Sequence, residues 1–170
     1  MPQTDETPRP RPTRSAVALG GHPLHPAVVD FPIVLLTTAL ATDLLFWWTG
    51  SPAWADFSFW LILAGFVTGL VAFLTGLIDF LTSERARQTA AGWVHFLVTD
   101  VALFLSVFNL AGRLEDRHGV VLFSGLALSA AVTLLLLVGG YAGGRLVFRH
   151  RVGVYGDEPE RDKMNRPSSV

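Results

Sequence analysis

Cysteine is absent from all 170 residues, which excludes disulfides, cysteine-ligated iron–sulfur clusters, thiolate metal sites and covalently attached c-type haem. Charge is scarce too, at 16% of residues against a hydrophobic content of 51% and a mean hydropathy of +0.44. That balance is too apolar for a water-soluble domain of this size. No nucleotide-binding glycine motif, nucleophile elbow or zinc-protease helix occurs. The paired glycines at 139–140 and 143–144 lie inside an apolar stretch with no Gly-Lys-Ser after them, so they suit close helix packing better than phosphate. The first twenty residues carry Pro2, Pro8, Pro10 and Pro12 among Arg9, Arg11 and Arg14 but no apolar run like a signal-peptide core, so no cleavage is expected and the first span reads as the targeting signal. No internal repeat is evident, which leaves an inverted-repeat transporter without support. The net charge of −1 names no partner, and none is expected among nucleic acids.

What the chain does have is four long apolar stretches, at about residues 28–48, 57–81, 91–112 and 120–142, each long enough to cross a bilayer as a helix. The expected fold is all-α, an integral membrane four-helix bundle running up and down, with the lipid bilayer as its partner and its oligomeric state open. Residues 1–20 read as a disordered basic arm, 21–155 as the membrane domain and 156–170 as a disordered tail. Lys and Arg set the orientation: three precede the first span, none follow it, two lie between spans two and three, two between three and four, and six after the fourth. Eleven against two sends both termini to the cytoplasm. Thr49-Gly50-Ser51-Pro52 forces a short outer loop. Trp47, Trp48, Trp54 and Trp60 then gather at the outer interface and Trp93 at the inner one.

Polar and small residues recur on helical faces. Gly65, Gly69, Ala72, Gly76 and Asp79 follow steps of four and three along span two, and His95, Thr99, Ala102, Ser106, Asn109 and Arg113 do the same along span three. Both faces are expected to point into the bundle. His22 and His25, each followed by a proline that biases it towards extended backbone, stand at the entry to span one. Asp79 sits about a turn from the matching end of span two, and His95 roughly 6 Å into span three. Three imidazoles and nearby carboxylates on one membrane face could ligate a transition metal, and two imidazoles from different helices could hold a haem iron axially. The competing reading is architectural: His22 and His25 cap the first helix, and Asp79 with His95 forms an interhelical pair. Asp100, off the stripe and near mid-span, reads equally as hydrogen-bonding glue to Thr37, Thr38 or Thr68 and as a proton-handling group. Asp43 is expected to pair with Asn109 or Arg113. His118 and His150 read as solvated.

Gly21-His22-Pro23-Leu24-His25-Pro26 with Val29 and Phe31-Pro32, Gly76 to Asp79-Phe80, His95, Asn109, Arg113, and Gly143-Gly144-Arg145-Leu146-Val147-Phe148 with Val152-Gly153-Val154 together resemble the DUF2231 family of bacterial four-span membrane proteins. The resemblance covers about residues 20–155, and His-Pro-x-His-Pro is its most specific part. It implies an inner-membrane location. Because similar chains are joined to Rieske-type or cytochrome c-like domains, it also implies a redox setting with redox membrane proteins as partners. It carries His22, His25, Asp79, His95 and Asn109 over as site positions. Thr99, Arg145, Phe148 and Arg151 depart from the family pattern, which commonly has Asn, Glu, Tyr and Gly there. The leading expectation is a subunit, not an enzyme by itself, that binds b-type haem or a transition metal through His95 with His22 or His25, Asp79 orienting a ligand. A non-catalytic scaffold or membrane anchor stands second, and a proton or small-solute pathway through Asp100 third.

Overall fold

The computed structural model describes residues 13–153, so the first part of the expected basic arm and the expected tail lie outside the described residues. Two short strands, β1 (Ala18–Leu19) and β2 (His22–Pro23), pair antiparallel through a Gly20-Gly21 turn. Both glycines have positive φ, 56° and 84°, as a two-residue hairpin turn of this hand requires. The helices follow: α1 (Leu24–Val28), α2 (Asp30–Thr49), α3 (Pro52–Thr82), α4 (Glu84–Arg87), α5 (Ala90–Glu115) and α6 (Leu126–Phe148), the last entered through a π-helical turn at Val121–Gly125.

Local chemistry sets the ends. Gly50 closes α2 in the left-handed region, its N–H donating to Phe46 O at 2.8 Å, and Pro52 opens α3 immediately afterwards. The expected outer loop is thus two residues long. Ser83 and Thr89 accept from the N–H groups of Ala86 and Gly92 and so start α4 and α5. Asp116 accepts from His118 N and Gly119 N, turning the chain from α5 towards α6.

Four continuous spans result, Leu24–Thr49, Pro52–Thr82, Ala90–Glu115 and Val121–Phe148, of 26, 31, 26 and 28 residues, with mean hydropathy of 1.8 to 2.5. Each is longer than its apolar run. α5, for example, continues past residue 112 and takes Arg113 into the buried interior. Large apolar side chains such as Phe104, Leu134, Leu137 and Phe148 face outward. Such a surface is satisfied by lipid, and the protein is a helical membrane bundle.

The spans pack in ring order: the first against the second, the third against the fourth, and the two hairpins against each other through α2–α6 and α3–α5 contacts. Leu36, Ala39, Leu61, Ile62, Ala102 and Val132 form the central core. Gly65 lets Leu36 in: a methyl there would lie 2.7 Å from Leu36 Cγ.

Candidate functional site

At the end of the bundle where the described residues begin and end, the structure brings two imidazoles together. His25, on α1, donates Nδ1–H to the Ala72 carbonyl on α3 at 2.8 Å, and its ring lies over Gly76, where a methyl would stand 2.7 Å from Nδ1. His95, on α5, donates Nδ1–H to the Gly139 carbonyl on α6 at 2.8 Å, and its ring lies over Gly143, where a methyl would stand 3.0 Å from Nδ1. The two arrangements are the same device: a histidine seated on a glycine and bonded to the carbonyl four residues before it. The ring centroids are 6.0 Å apart with planes at 84°.

The carbonyl partners settle the tautomer. A carbonyl oxygen only accepts, so in each neutral ring Nδ1 carries the hydrogen and Nε2 is left as a bare lone pair. No hydrogen bond to either Nε2 occurs among the described residues. Both rings line a cavity of about 340 Å³ with mainly apolar walls, including Val29, Pro32, Phe73, Leu103 and Val147. Its polar lining includes Ser15, Asp79, Thr99 and Asp100.

The other expected site residues do not join the pair. His22 is exposed and its Nδ1 donates to Gly20 O at 3.2 Å, because the Gly-Gly hairpin turns it away from the bundle. Asp79 borders the cavity, but its carboxylate accepts from Ser15 Oγ at 2.8 and 2.7 Å, Ala16 N at 2.7 Å and Val17 N at 3.2 Å. It therefore latches the segment before the first span instead of orienting a histidine, and the bundle's contacts begin ahead of the boundary expected at residue 20. A four-residue ligand set of His22, His25, Asp79 and His95 is not assembled: among the described residues no three His, Asp or Glu side chains come together to hold an ion. Asp100 is half-buried at the cavity wall. Two of the three expected hydroxyl partners donate elsewhere, Thr37 to Ile33 O at 2.6 Å and Thr68 to Ala64 O at 2.8 Å.

Asn109 belongs to a second cluster at the opposite end. Asp43 and Arg113 meet at 2.7 Å with side chains fully buried. Ser129 Oγ donates to the same Asp43 oxygen at 2.6 Å, Arg113 Nε donates to Asn109 Oδ1 at 2.9 Å, and Asn109 Nδ2 donates to Ser129 Oγ at 2.9 Å. Fourteen residues separate His95 from Asn109 (95 to 109), about 21 Å along a helix, so Asn109 is remote from the imidazoles.

These two clusters expose a symmetry. His95 and Arg113 stand in the third span where His25 and Asp43 stand in the first, with the same offset of seventy residues (25 to 95, 43 to 113). Ala72 and Gly76 correspond to Gly139 and Gly143 at a common offset of sixty-seven (72 to 139, 76 to 143). Burial follows the correspondence: Pro32 and Ala102, Leu36 and Ser106, Ala39 and Asn109, Ser58 and Gly125, and Ile62 and Ser129 are all buried pairs. The bundle is two similar hairpins related by a pseudo-two-fold axis along its length, a parallel repeat and not an inverted one. The expectation of no repeat is corrected in geometry, though not in residue identity. The signal that sequence reasoning passed over is the four-residue spacing of a small residue and a glycine facing each histidine.

A family model described as a predicted membrane protein, DUF2231, matches residues 21–156. No curated protein and no solved structure matches the chain.

Proposed function

The chain belongs to the DUF2231 family of predicted membrane proteins, and on that premise we propose that it is a bacterial inner-membrane subunit holding b-type haem or a transition-metal ion between His25 and His95. Both termini lie in the cytoplasm in this reading, which puts the pair at the cytoplasmic face. The observation that carries it is the duplicated anchoring: each Nδ1–H is spent on a backbone carbonyl, the partner that ligating histidines use to fix tautomer and ring orientation. Each ring is thereby left with a ligating lone pair beside an apolar cavity.

The chain's own contribution follows from these contacts. The Ala72 and Gly139 carbonyls fix the tautomer that leaves Nε2 of each neutral imidazole bare and raise its basicity as a ligand. Gly76 and Gly143 let the rings lie flat on their helices. The apolar walls keep water from competing for the ligand positions. Bound haem or a redox-active ion would supply one-electron chemistry, which places the protein among membrane redox partners.

The test is an absorption spectrum and metal analysis of protein purified in detergent after growth with iron, copper and a haem precursor. We expect a Soret band or a stoichiometric metal that His95→Gln abolishes while the bundle stays folded. A wild type free of haem and metal would overturn the assignment in favour of the second reading, a scaffold. A specific observation favours that reading too: each histidine already has a structural task, fastening the first span to the second or the third to the fourth.

A further inference from the structure

We infer that the occupant of the histidine pair is a univalent, two-coordinate ion, Cu(I), held by His25 Nε2 and His95 Nε2 alone. The inference rests on the ligand reading above and narrows it by donor count, charge and space.

The donor count comes first. Among the described residues no third His, Asp or Glu joins the two rings. The chain has no cysteine, and its two methionines, Met1 and Met164, lie outside the spans. Zn(II) in structural sites takes four protein ligands, and Ca(II) or Mg(II) takes six or more oxygens. Two nitrogens complete neither set, whereas a filled-shell univalent copper is satisfied by two.

Charge points the same way. The nearest latch carboxylate, Asp79, is engaged by Ser15, Ala16 and Val17, and the rings are neutral ligands. An ion entering the site therefore brings its charge into a mainly apolar setting in which Asp79 and Asp100 border the cavity but no carboxylate joins the rings as a ligand. The cost of removing an ion from water rises with the square of its charge, so a univalent ion is far cheaper to seat than a divalent one.

Spacing and volume separate a bare ion from a macrocycle. With a metal–nitrogen bond of about 2.0 Å and roughly 1.1 Å more to the ring centre, centroids lie about 6.2 Å apart for a linear arrangement and about 5 Å for a tetrahedral one. The observed centroid separation of 6.0 Å matches the spacing a linear arrangement needs and exceeds that of a tetrahedral one. Axial haem ligation needs the same spacing, but also a slot for a tetrapyrrole between the rings. The cavity measures about 340 Å³, at the small end of the roughly 300–1,000 Å³ common for ligand sites. Beside the rings α5 closes tightly on both neighbours: a methyl on Gly69 would lie 2.8 Å from Leu103 Cδ1, and one on Gly139 would lie 2.7 Å from Thr99 Cγ2.

The experiment uses the full chain in detergent under anaerobic conditions, with Cu(I), Zn(II) and ferric haem offered in separate titrations. We expect one Cu(I) per chain, two nitrogen neighbours by X-ray absorption, and an affinity for Cu(I) that falls about 100-fold or more in His25→Gln and in His95→Gln. X-ray absorption on the wild type gives an answer even where a variant fails to fold. Three or more coordinating atoms, or Cu(I) binding that survives either substitution, would overturn the inference. Zn(II) or haem binding that needs both histidines, without Cu(I), would also overturn it while leaving the ligand reading standing. No histidine-dependent binding of any of the three would remove both.

Discussion

Removing Asp43 should cost far more than an ordinary polar contact in a membrane protein. Its Oδ2 accepts from Arg113 Nη2 at 2.7 Å and from Ser129 Oγ at 2.6 Å, with both members of the ion pair fully buried. Asp43→Ala forfeits two charge-assisted hydrogen bonds, each about 1.5–3 kcal/mol before relaxation. It also leaves a guanidinium inside the bundle with Asn109 Oδ1 as its hydrogen-bond acceptor. The total should fall near 3–5 kcal/mol, the range for breaking a buried pair, against about 0.6 kcal/mol for an average interhelical hydrogen bond. The double variant Asp43→Leu with Arg113→Met removes both charges at similar volume and should return to within about 1.5 kcal/mol of wild type. Asn109 and Ser129 keep their mutual bond in that background. Unfolding of Asp43→Leu, Arg113→Met and the double variant in one detergent, by SDS titration or heat, measures the coupling. A single substitution costing under about 1 kcal/mol, or a double that costs the sum of the singles, would refute the reasoning.

Gly76→Ala should destabilise by about 1–3 kcal/mol, because the added methyl meets the His25 ring, whereas Gly140→Ala, where a methyl meets nothing within 4 Å, should be neutral or slightly stabilising; thermal unfolding compares them, and equal effects would contradict the packing described. Asp79→Ala should release the segment it latches, seen as several-fold faster trypsin cleavage between Arg14 and Ser15, while Arg9 and Arg11, each followed by proline, stay resistant; an unchanged rate would mean other contacts hold the segment. Reporter fusions after Met1 and at Val170 should both read cytoplasmic and one at Ser51 external, and an external C-terminus would move the histidine pair to the other face.

The spans were legible because lipid demands continuous apolar surface, and the inward stripe of α5 was legible from its steps of three and four: Ala102, Ser106, Asn109 and Arg113 are all buried. Span ends were less so, since hydropathy registers Arg113 as a boundary whereas its partner Asp43, seventy positions earlier, makes it interior. The sequence placed His22, His25, Asp79 and His95 at one end but gave no means to sort them. His22 is diverted by local turn chemistry at Gly20-Gly21. Asp79 is taken by the backbone of residues 16 and 17, a tertiary contact that leaves no pattern in composition or spacing. The two-fold relation escaped for another reason: equivalent positions carry complementary residues, Asp43 against Arg113 and Ala39 against Asn109. A search for similarity is blind to complementarity.

The pseudo-two-fold axis also bears on assembly. α4 and its flanks, Ser83 to Thr89, are the sole covalent connection between the hairpins, so each half carries its own insertion signal and its own histidine-to-carbonyl fastening. Among the described residues, the polar side-chain contacts that join the halves lie towards the two ends, the neighbouring imidazoles at one and the Asp43–Arg113 and Asp56–Arg117 pairs at the other, with apolar packing between. Residues 1–86 and 87–170, co-expressed as separate polypeptides, then become a complementing pair. Anything that bridges His25 and His95 draws the fragments together, so the protein's association equilibrium is itself a gauge of what it binds.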